Sequence, residues 1–219
     1  MYRWLLQQRF NLCLRQGFGY AQGLTRRGQL QTGVSDDALM AQFKTAFFAA
    51  LDPKAFFVAK TLELRQRHTK FEDTPYSLEP NCKESPGGIR DLQAILWVAK
   101  AARLGQNWAD LAKSGLATAF EVQQIQRNES LLFLIRARLH ATAKRREDRL
   151  VFDLQTPVAE AFGYQSSMST TVLGSLGVVR ASEALMKRYY WAAKAVTQLN
   201  QILLLNIEDR LKSDRGETL

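Results

Sequence analysis

The chain has 219 residues, 46% of them hydrophobic, with a formal net charge of +9 and a pI near 9.8. That length and apolar content support a buried core and exclude a disordered chain, and no run reaches the roughly 18 apolar residues of a membrane-spanning helix. Two cysteines, Cys13 and Cys82, provide no disulfide framework and suit a reducing compartment, while the basic balance favours anionic partners such as nucleotides or an acidic protein surface.

Residues 1–35 hold five arginines, no lysine and no acid, and so contribute +5 of the net charge. They read as an atypical basic leader, separate from the domain that follows, although Trp4, Leu5, Leu6, Phe10 and Leu14 can form an amphipathic helix. Mixed charge begins at Asp36. Ser35-Asp36-Asp37 can cap a helix running to Leu51. Asp52-Pro53 restarts one, with an acid at the cap and proline in the first turn. Phe57, Leu62 and Leu64 are its expected buried positions. Its end carries Arg65, Arg67, His68 and Lys70, cations that complement the helix dipole, and His68 is assigned that role rather than a ligand role.

The stretch 79–91 departs from this helical pattern. It holds two prolines, two adjacent glycines and five charged residues. Pro80 and Pro86 bias their preceding residues toward extended geometry. A short extended run over 78–83 follows, with Leu78, Cys82 and Glu84 on one side and Glu79, Asn81 and Lys83 on the other. Gly87-Gly88 then supplies a tight turn or a close backbone approach. Ile89, Leu92, Leu96 and Ala99 mark the apolar face of a helix over 89–104, with Arg90 and Trp97 together on another face. A helix opened by glycines can aim free N–H groups at an anion, and Lys83 and Arg90 place two cations there. Lys83, Gly87, Gly88, Arg90 and Asp91 are therefore the candidate site, either for a phosphate or for contact with another domain. The alternative is a loop whose charges are solvated, or one in which Arg90 pairs with Glu79 or Asp91 and pins the backbone.

Gly105-Gln106-Asn107 breaks the chain before a short helix near 108–113. The longest helix is expected over 117–146, with Leu132, Ile135 and Leu139 as its seam. Arg136, Arg138, Lys144, Arg145, Arg146 and Arg149 make its end basic, read as a solvated face or one set against an acidic partner. A short helix follows over 153–162. Residues 165–179, rich in Ser, Thr and Gly and free of charge, read as a mobile loop or a helical extension. A final helix over 180–211 packs through Leu185, Tyr189, Ala192, Val196, Leu199, Leu203 and Ile207. Tyr189, Tyr190 and Trp191 are assigned to the core and helix contacts, and 212–219 to a polar tail. Cys13, Cys82, His68 and His140 fit no metal-ligand spacing, so no metal site is assigned.

The stretch from Arg67 to Lys100 resembles the bifunctional uridylyltransferase/uridylyl-removing enzymes that act on the nitrogen-signalling protein PII. Arg67, His68, Phe71, Thr74, Tyr76, Leu78, Glu79, Pro80, Asn81, Lys83, Pro86, Gly87, Gly88, Arg90 and Asp91 carry that pattern. Cys82 departs from it at an apolar position. A similar Gly-Gly-Ile-Arg element occurs in the glutamine synthetase adenylyltransferases. The likeness extends over about 50–208, and 165–179 looks like an insertion relative to it.

The resemblance implies a cytoplasmic enzyme that, when intact, transfers UMP from UTP to a tyrosine of PII with Mg²⁺, and removes it when glutamine is plentiful. This chain shows no Asp-x-Asp pair for the metal ions of nucleotidyl transfer, and neither histidine is followed by the aspartate of the hydrolase motif. The expectation is a mainly α protein, a helical bundle with a short extended segment near 78–83, whose family domain spans 36–211. It would correspond to the helical region that follows the nucleotidyltransferase core, catalytically inactive alone, with PII and the missing core as partners. A non-catalytic module binding PII or another domain of a split enzyme is the main alternative. A nonspecific nucleic-acid binder is the weaker one.

Overall fold

The computed structural model describes residues 45, 49–170 and 176–213, of which 167–170 and 176–179 are described by their backbone. The leader 1–35, the cap at 35–37 and most of 212–219 lie outside the described residues. A compact unit begins at Leu51.

Six helices and one hairpin make up the described part of this unit: α1 (Pro53–Lys70), α2 (Ile89–Ala101), α3 (Trp108–Lys113), α4 (Ala119–Ala143), α5 (Phe152–Ala161), β1 (Ser167–Thr170), β2 (Leu176–Val179) and α6 (Ala181–Ser213). It is a mainly α bundle. Local chemistry sets the helix ends. Asp52 caps α1 by accepting from the N–H groups of Lys54 and Ala55, and Pro53 fills the first turn, where a missing N–H costs nothing. Asn107 caps α3. Thr118 and Glu121 form a reciprocal capping box on α4, which begins two residues later than its apolar pattern suggests. Lys144 ends α4 in the left-handed conformation.

Helix α6 is the spine, packing against α2, α4 and α5. Its expected stripe is buried from Leu185 to Ile207. So is the α4 seam of Leu132, Ile135 and Leu139. Asn200 adds a polar tie, donating from Nδ2 to the Asp91 carbonyl at 2.9 Å inside the core.

Several expectations are corrected. Leu62 is 54% exposed, and α1 instead buries Phe56, Phe57, Lys60 and Leu64. On α2, Ile95 is fully buried and Leu96 lies at the margin, because the helix contacts both α1 and α6. Helix α2 stops at Ala101, short of 104, and Arg103 follows at positive φ. Trp191 is 71% exposed, since it lies two residues past the buried Tyr189 and one past the half-buried Tyr190, on the far side of α6. Within 165–179 the backbone forms an antiparallel pair rather than a loop or helix, with Ser167 opposite Val179 and Thr170 opposite Leu176. Thr170, Val178 and Val179 are β-branched, which favours a pleated strand once a partner strand is present.

Candidate functional site

The extended run near 78–83 contracts to a single antiparallel bridge between Asn81 and Arg149. It is flanked by Leu150 N–H donating to the Pro80 carbonyl at 2.9 Å and Cys82 N–H donating to the Asp148 carbonyl at 2.8 Å. Strict alternation fails here: Cys82 is fully buried while Leu78, expected on the same side, is 68% exposed. The chain turns immediately, because Asn81 Oδ1 accepts from the N–H groups of Lys83 and Glu84 at 3.0 and 2.8 Å. Ser85 Oγ returns a bond by accepting from Asn81 N–H at 2.9 Å.

The glycine pair makes a close approach. Gly87 has φ +76°, and a Cβ there would stand 2.1 Å from the Ala193 carbonyl oxygen of α6. Its N–H donates to Asp91 Oδ2 at 2.7 Å. Gly88 N–H donates to the Ser85 carbonyl, Ile89 N–H to that of Cys82, Arg90 N–H to that of Lys83 and Asp91 N–H to that of Gly88. The outward-facing N–H groups expected of a glycine-opened helix are therefore absent. The loop folds back and satisfies the helix start itself.

Asp91 is turned inward and fully buried. Arg67 Nη2 lies 2.7 Å from its Oδ1, and His68 Nε2 lies 3.0 Å from both of its oxygens. Arg67 also donates from Nη1 to the Glu84 carbonyl at 2.9 Å. The end of α1 thus grips both the loop and the first turn of α2. His68 sits in the last turn of α1, as a dipole-complementing cation would, but its partner is the Asp91 carboxylate.

A second aspartate holds the other flank. Asp148 Oδ1 accepts from Arg136 Nε at 2.5 Å and lies 3.1 Å from His140 Nε2. Burial alone would raise the Asp148 carboxyl; Arg136 and His140 outweigh it and hold the group below its ordinary value. Arg136 is therefore not part of a solvated basic face. Nor is Arg138, which donates to the Ala161 carbonyl and lies 4.5 Å over the Phe162 ring. Glu79 pairs with Arg149 at 3.2 Å and accepts from the first N–H of α5, that of Phe152, at 2.9 Å.

Lys83 and Arg90 remain on the outer side of the loop. Both reach Glu84 Oε1, at 3.1 and 3.2 Å. Arg90 thus pairs with Glu84 rather than with Glu79 or Asp91. Burial pushes the Glu84 carboxyl up, but Arg90 and Lys83 outweigh it and hold it low. Arg90 also lies 5.3 Å over the Trp97 ring, the neighbour expected on its face of α2.

Burial, reinforced by Asp148, pushes the Cys82 thiol up to about 12, so it packs in the core as a neutral thiol. Among the described residues no group of three or more His, Cys, Asp or Glu can hold a metal ion. Asp91 and Asp148 are each engaged by an arginine and a histidine, so they do not fit a magnesium site. Neither cluster was recognised in the sequence. The usable signals were Arg136 and His140 four apart on one helix face, and the adjacent Arg67-His68 pair closing α1.

Comparison with known proteins gives the family of the chain. The sequence profile of the GlnD PII-uridylyltransferase family matches residues 55–204. The chain is 58% identical over 178 residues to a bifunctional uridylyltransferase/uridylyl-removing enzyme of Cupriavidus metallidurans, covering 81% of this chain and 20% of that one. The similarly named protein of Cupriavidus pinatubonensis is 61% identical over 170 residues, 78% of this chain and 18% of that one. That of Burkholderia orbicola is 57% identical over 178 residues, again 81% and 20%. No solved structure matches the chain. The chain spans about one fifth of the length of the curated relatives it matches. With its profile match covering most of its length, the chain belongs to the GlnD PII-uridylyltransferase family.

Proposed function

We propose that this chain is the helical support region of a PII uridylyltransferase/uridylyl-removing enzyme, and that it presents its 79–91 loop to the nucleotidyltransferase core. The observation that carries this reading is the rigid mounting of that loop. The Asp91 carboxylate and the Asp148 carbonyl hold its two flanks, Gly87 presses on α6, and Lys83 and Arg90 stay at the outer edge, sharing one carboxylate. A surface held this firmly is suited to positioning either a phosphate group or the neighbouring domain. UTP and Mg²⁺ belong to the core in this reading, and no catalytic step is assigned to residues of this chain. PII is the protein substrate of the assembled enzyme, and the setting is the cytoplasm. Among the described residues no helix is long and apolar enough to cross a membrane. The basic charge serves an anionic partner in the assembled enzyme rather than nucleic acid.

The test is an assay with purified PII, Mg²⁺ and UTP labelled in the α-phosphate. The chain alone is expected to transfer no label above a no-enzyme control, and a separately expressed core from a relative is expected to bind it. Label transferred by the chain alone would overturn the support role.

A further inference from the structure

The basic stretch from Arg136 to Arg149 reads in the sequence as a single face, and packing divides it. Arg136, Arg145 and Arg149 are paired with the carboxylates of Asp148, Glu147 and Glu79. Among the described residues Arg138 has no such partner. Its Nη1 donates to the Ala161 carbonyl at the end of α5, its guanidinium lies 4.5 Å over the Phe162 ring, and its Nε is shielded from solvent and meets no acceptor. Arg188 approaches the same rings from α6. It is exposed and donates to the Tyr164 hydroxyl at 2.9 Å, and Tyr164 stacks on Phe162 with ring centres 6.1 Å apart. One turn further along α6, Trp191 is 71% exposed and carries the Lys187 ammonium 5.6 Å from its ring centre.

A guanidinium carries about five N–H donors, and Arg138 and Arg188 each spend one of them inside the chain. Both forks are nonetheless held, Arg138 by the ring beneath it and Arg188 by the Tyr164 hydroxyl, so less side-chain freedom is lost when a second partner binds. Charge decides what that partner is. A second copy of the chain would bring a net +9 against +9. A nucleobase needs an open ring face, whereas Phe162 and Tyr164 stack on one another and Arg138 and Lys187 lie over Phe162 and Trp191. A carboxylate accepts two parallel N–H bonds from an arginine fork, and an apolar side chain beside it can pack against an indole.

We propose that Arg138, Arg188 and Trp191, with Phe162 and Tyr164 between the two arginines, form a docking surface for an acidic protein segment. Carboxylates of that segment pair with the two guanidinium forks, and an apolar side chain next to them covers Trp191. Tryptophan, tyrosine and arginine are the side chains that supply most of the binding energy at protein interfaces, and here all three stand at one place. The surface uses no residue of the 79–91 loop. It rests on the proposed function only for the expectation of an anionic partner.

The experiment uses the 219-residue chain labelled with ¹⁵N. The Trp191 indole and Arg138 Nε resonances are assigned by their loss in Trp191→Phe and Arg138→Lys. They are followed at constant ionic strength during titration with a synthetic Glu-Glu-Leu-Glu-Glu peptide and, separately, with a single-stranded oligouridylate. A saturable shift of both resonances by the peptide is expected. Read at Trp191, the affinity is expected to weaken about tenfold or more in Arg138→Gln and in Arg188→Gln. Arg127→Gln removes the same charge from another exposed position on α4 and is expected to leave the affinity nearly unchanged. The same spectra report whether each variant is folded. No saturable shift, or equal weakening in Arg127→Gln, would overturn the proposal, the latter by reducing it to attraction of net charge. Tighter binding of the oligouridylate at the same resonances would overturn it in favour of nucleic acid. A shift on concentrating the chain without peptide would overturn it in favour of a second copy. None of these results changes the outcome of the label-transfer assay, so the support role stands or fails separately.

Discussion

Asp91 and Asp148 are assembled from the same parts. Each carboxylate meets one arginine and one histidine; the Asp91 side chain holds the loop between α1 and α2 directly, whereas Asp148 holds it through its backbone carbonyl. They differ in depth and in reach. Asp91 has no solvent exposure and takes its partners from 23 and 24 residues away. Asp148 is 15% exposed and takes its partners from 8 and 12 residues away, off the last turns of the helix just before it. Water can replace a partner lost at Asp148 but not one lost at Asp91. The same charged trio is thus a keystone in one place and a local clasp in the other, and burial decides which.

The sharpest way to break this contrast is Asp91→Asn. It leaves Arg67 facing the interior without its carboxylate and weakens the Gly87 N–H bond. A loss of about 3–5 kcal/mol is expected in urea unfolding, the range for removing one partner of a buried ion pair. A loss no larger than that of the matching Asp148 variant would show that depth is not what distinguishes the two clusters.

Gly87→Ala attacks the same flank through the backbone. The added methyl would need a left-handed backbone and would meet the Ala193 carbonyl of α6, which cannot move like a side-chain tip. A loss of about 3 kcal/mol is expected from strain and overpacking together. Gly88→Ala offers a less strained comparison, because its φ of −79° is open to any residue although the space beside it is tight.

Asp148→Asn is expected to cost about 1–2 kcal/mol near neutrality, and its effect depends on pH. The folded-state carboxyl lies below its ordinary value of 3.8, so the native protein binds that proton less readily than the unfolded chain does. Its contribution is complete above the ordinary value and is lost as pH falls through it toward the lower folded value. Unfolding followed from neutrality down to about pH 3 is expected to lose stability more steeply in the wild-type chain than in Asp148→Asn over the acid end. Parallel curves would remove Asp148 as a source of acid sensitivity.

The smallest stability effect is expected at Lys83→Gln. Lys83 lies at the outer edge and shares Glu84 with Arg90, so its loss is expected to change stability by under about 0.5 kcal/mol. Weakened association with a separately expressed core, at unchanged stability, would separate the presenting face of the loop from its mounting.

Much of the helical framework was legible because its signals are local. Asp52-Pro53 marks a helix start by cap and proline chemistry, and the α6 stripe from Leu185 to Ile207 repeats at helical spacing whatever lies opposite. Arg90 and Trp97 were expected on one face of α2 because seven residues make nearly two turns. The hairpin around 167–179 was not legible, since Ser, Thr and Gly do not reveal whether a second strand is available. The candidate site was readable as a place but not as an arrangement. Gly87-Gly88 signalled a close approach, yet nothing in the linear order said that Ala193, more than a hundred positions on, is what it approaches.

The sequence by itself determined where most of the helices lie, the Asp52-Pro53 start of α1 and the membership of the 79–91 motif in its family, because propensity, periodicity and motif spacing operate over a few residues. Only the tertiary structure decided which charges are buried. Asp91 looks like an ordinary first-turn acid, and Arg67 and His68 like ordinary last-turn cations, until α1 and α2 pack and bring them to 2.7 and 3.0 Å. The same packing spends the helix-start N–H groups on the loop and leaves Trp97 Nε1 without a partner. Pairing of this kind depends on distances between segments far apart in the chain, and chain connectivity alone does not set those distances.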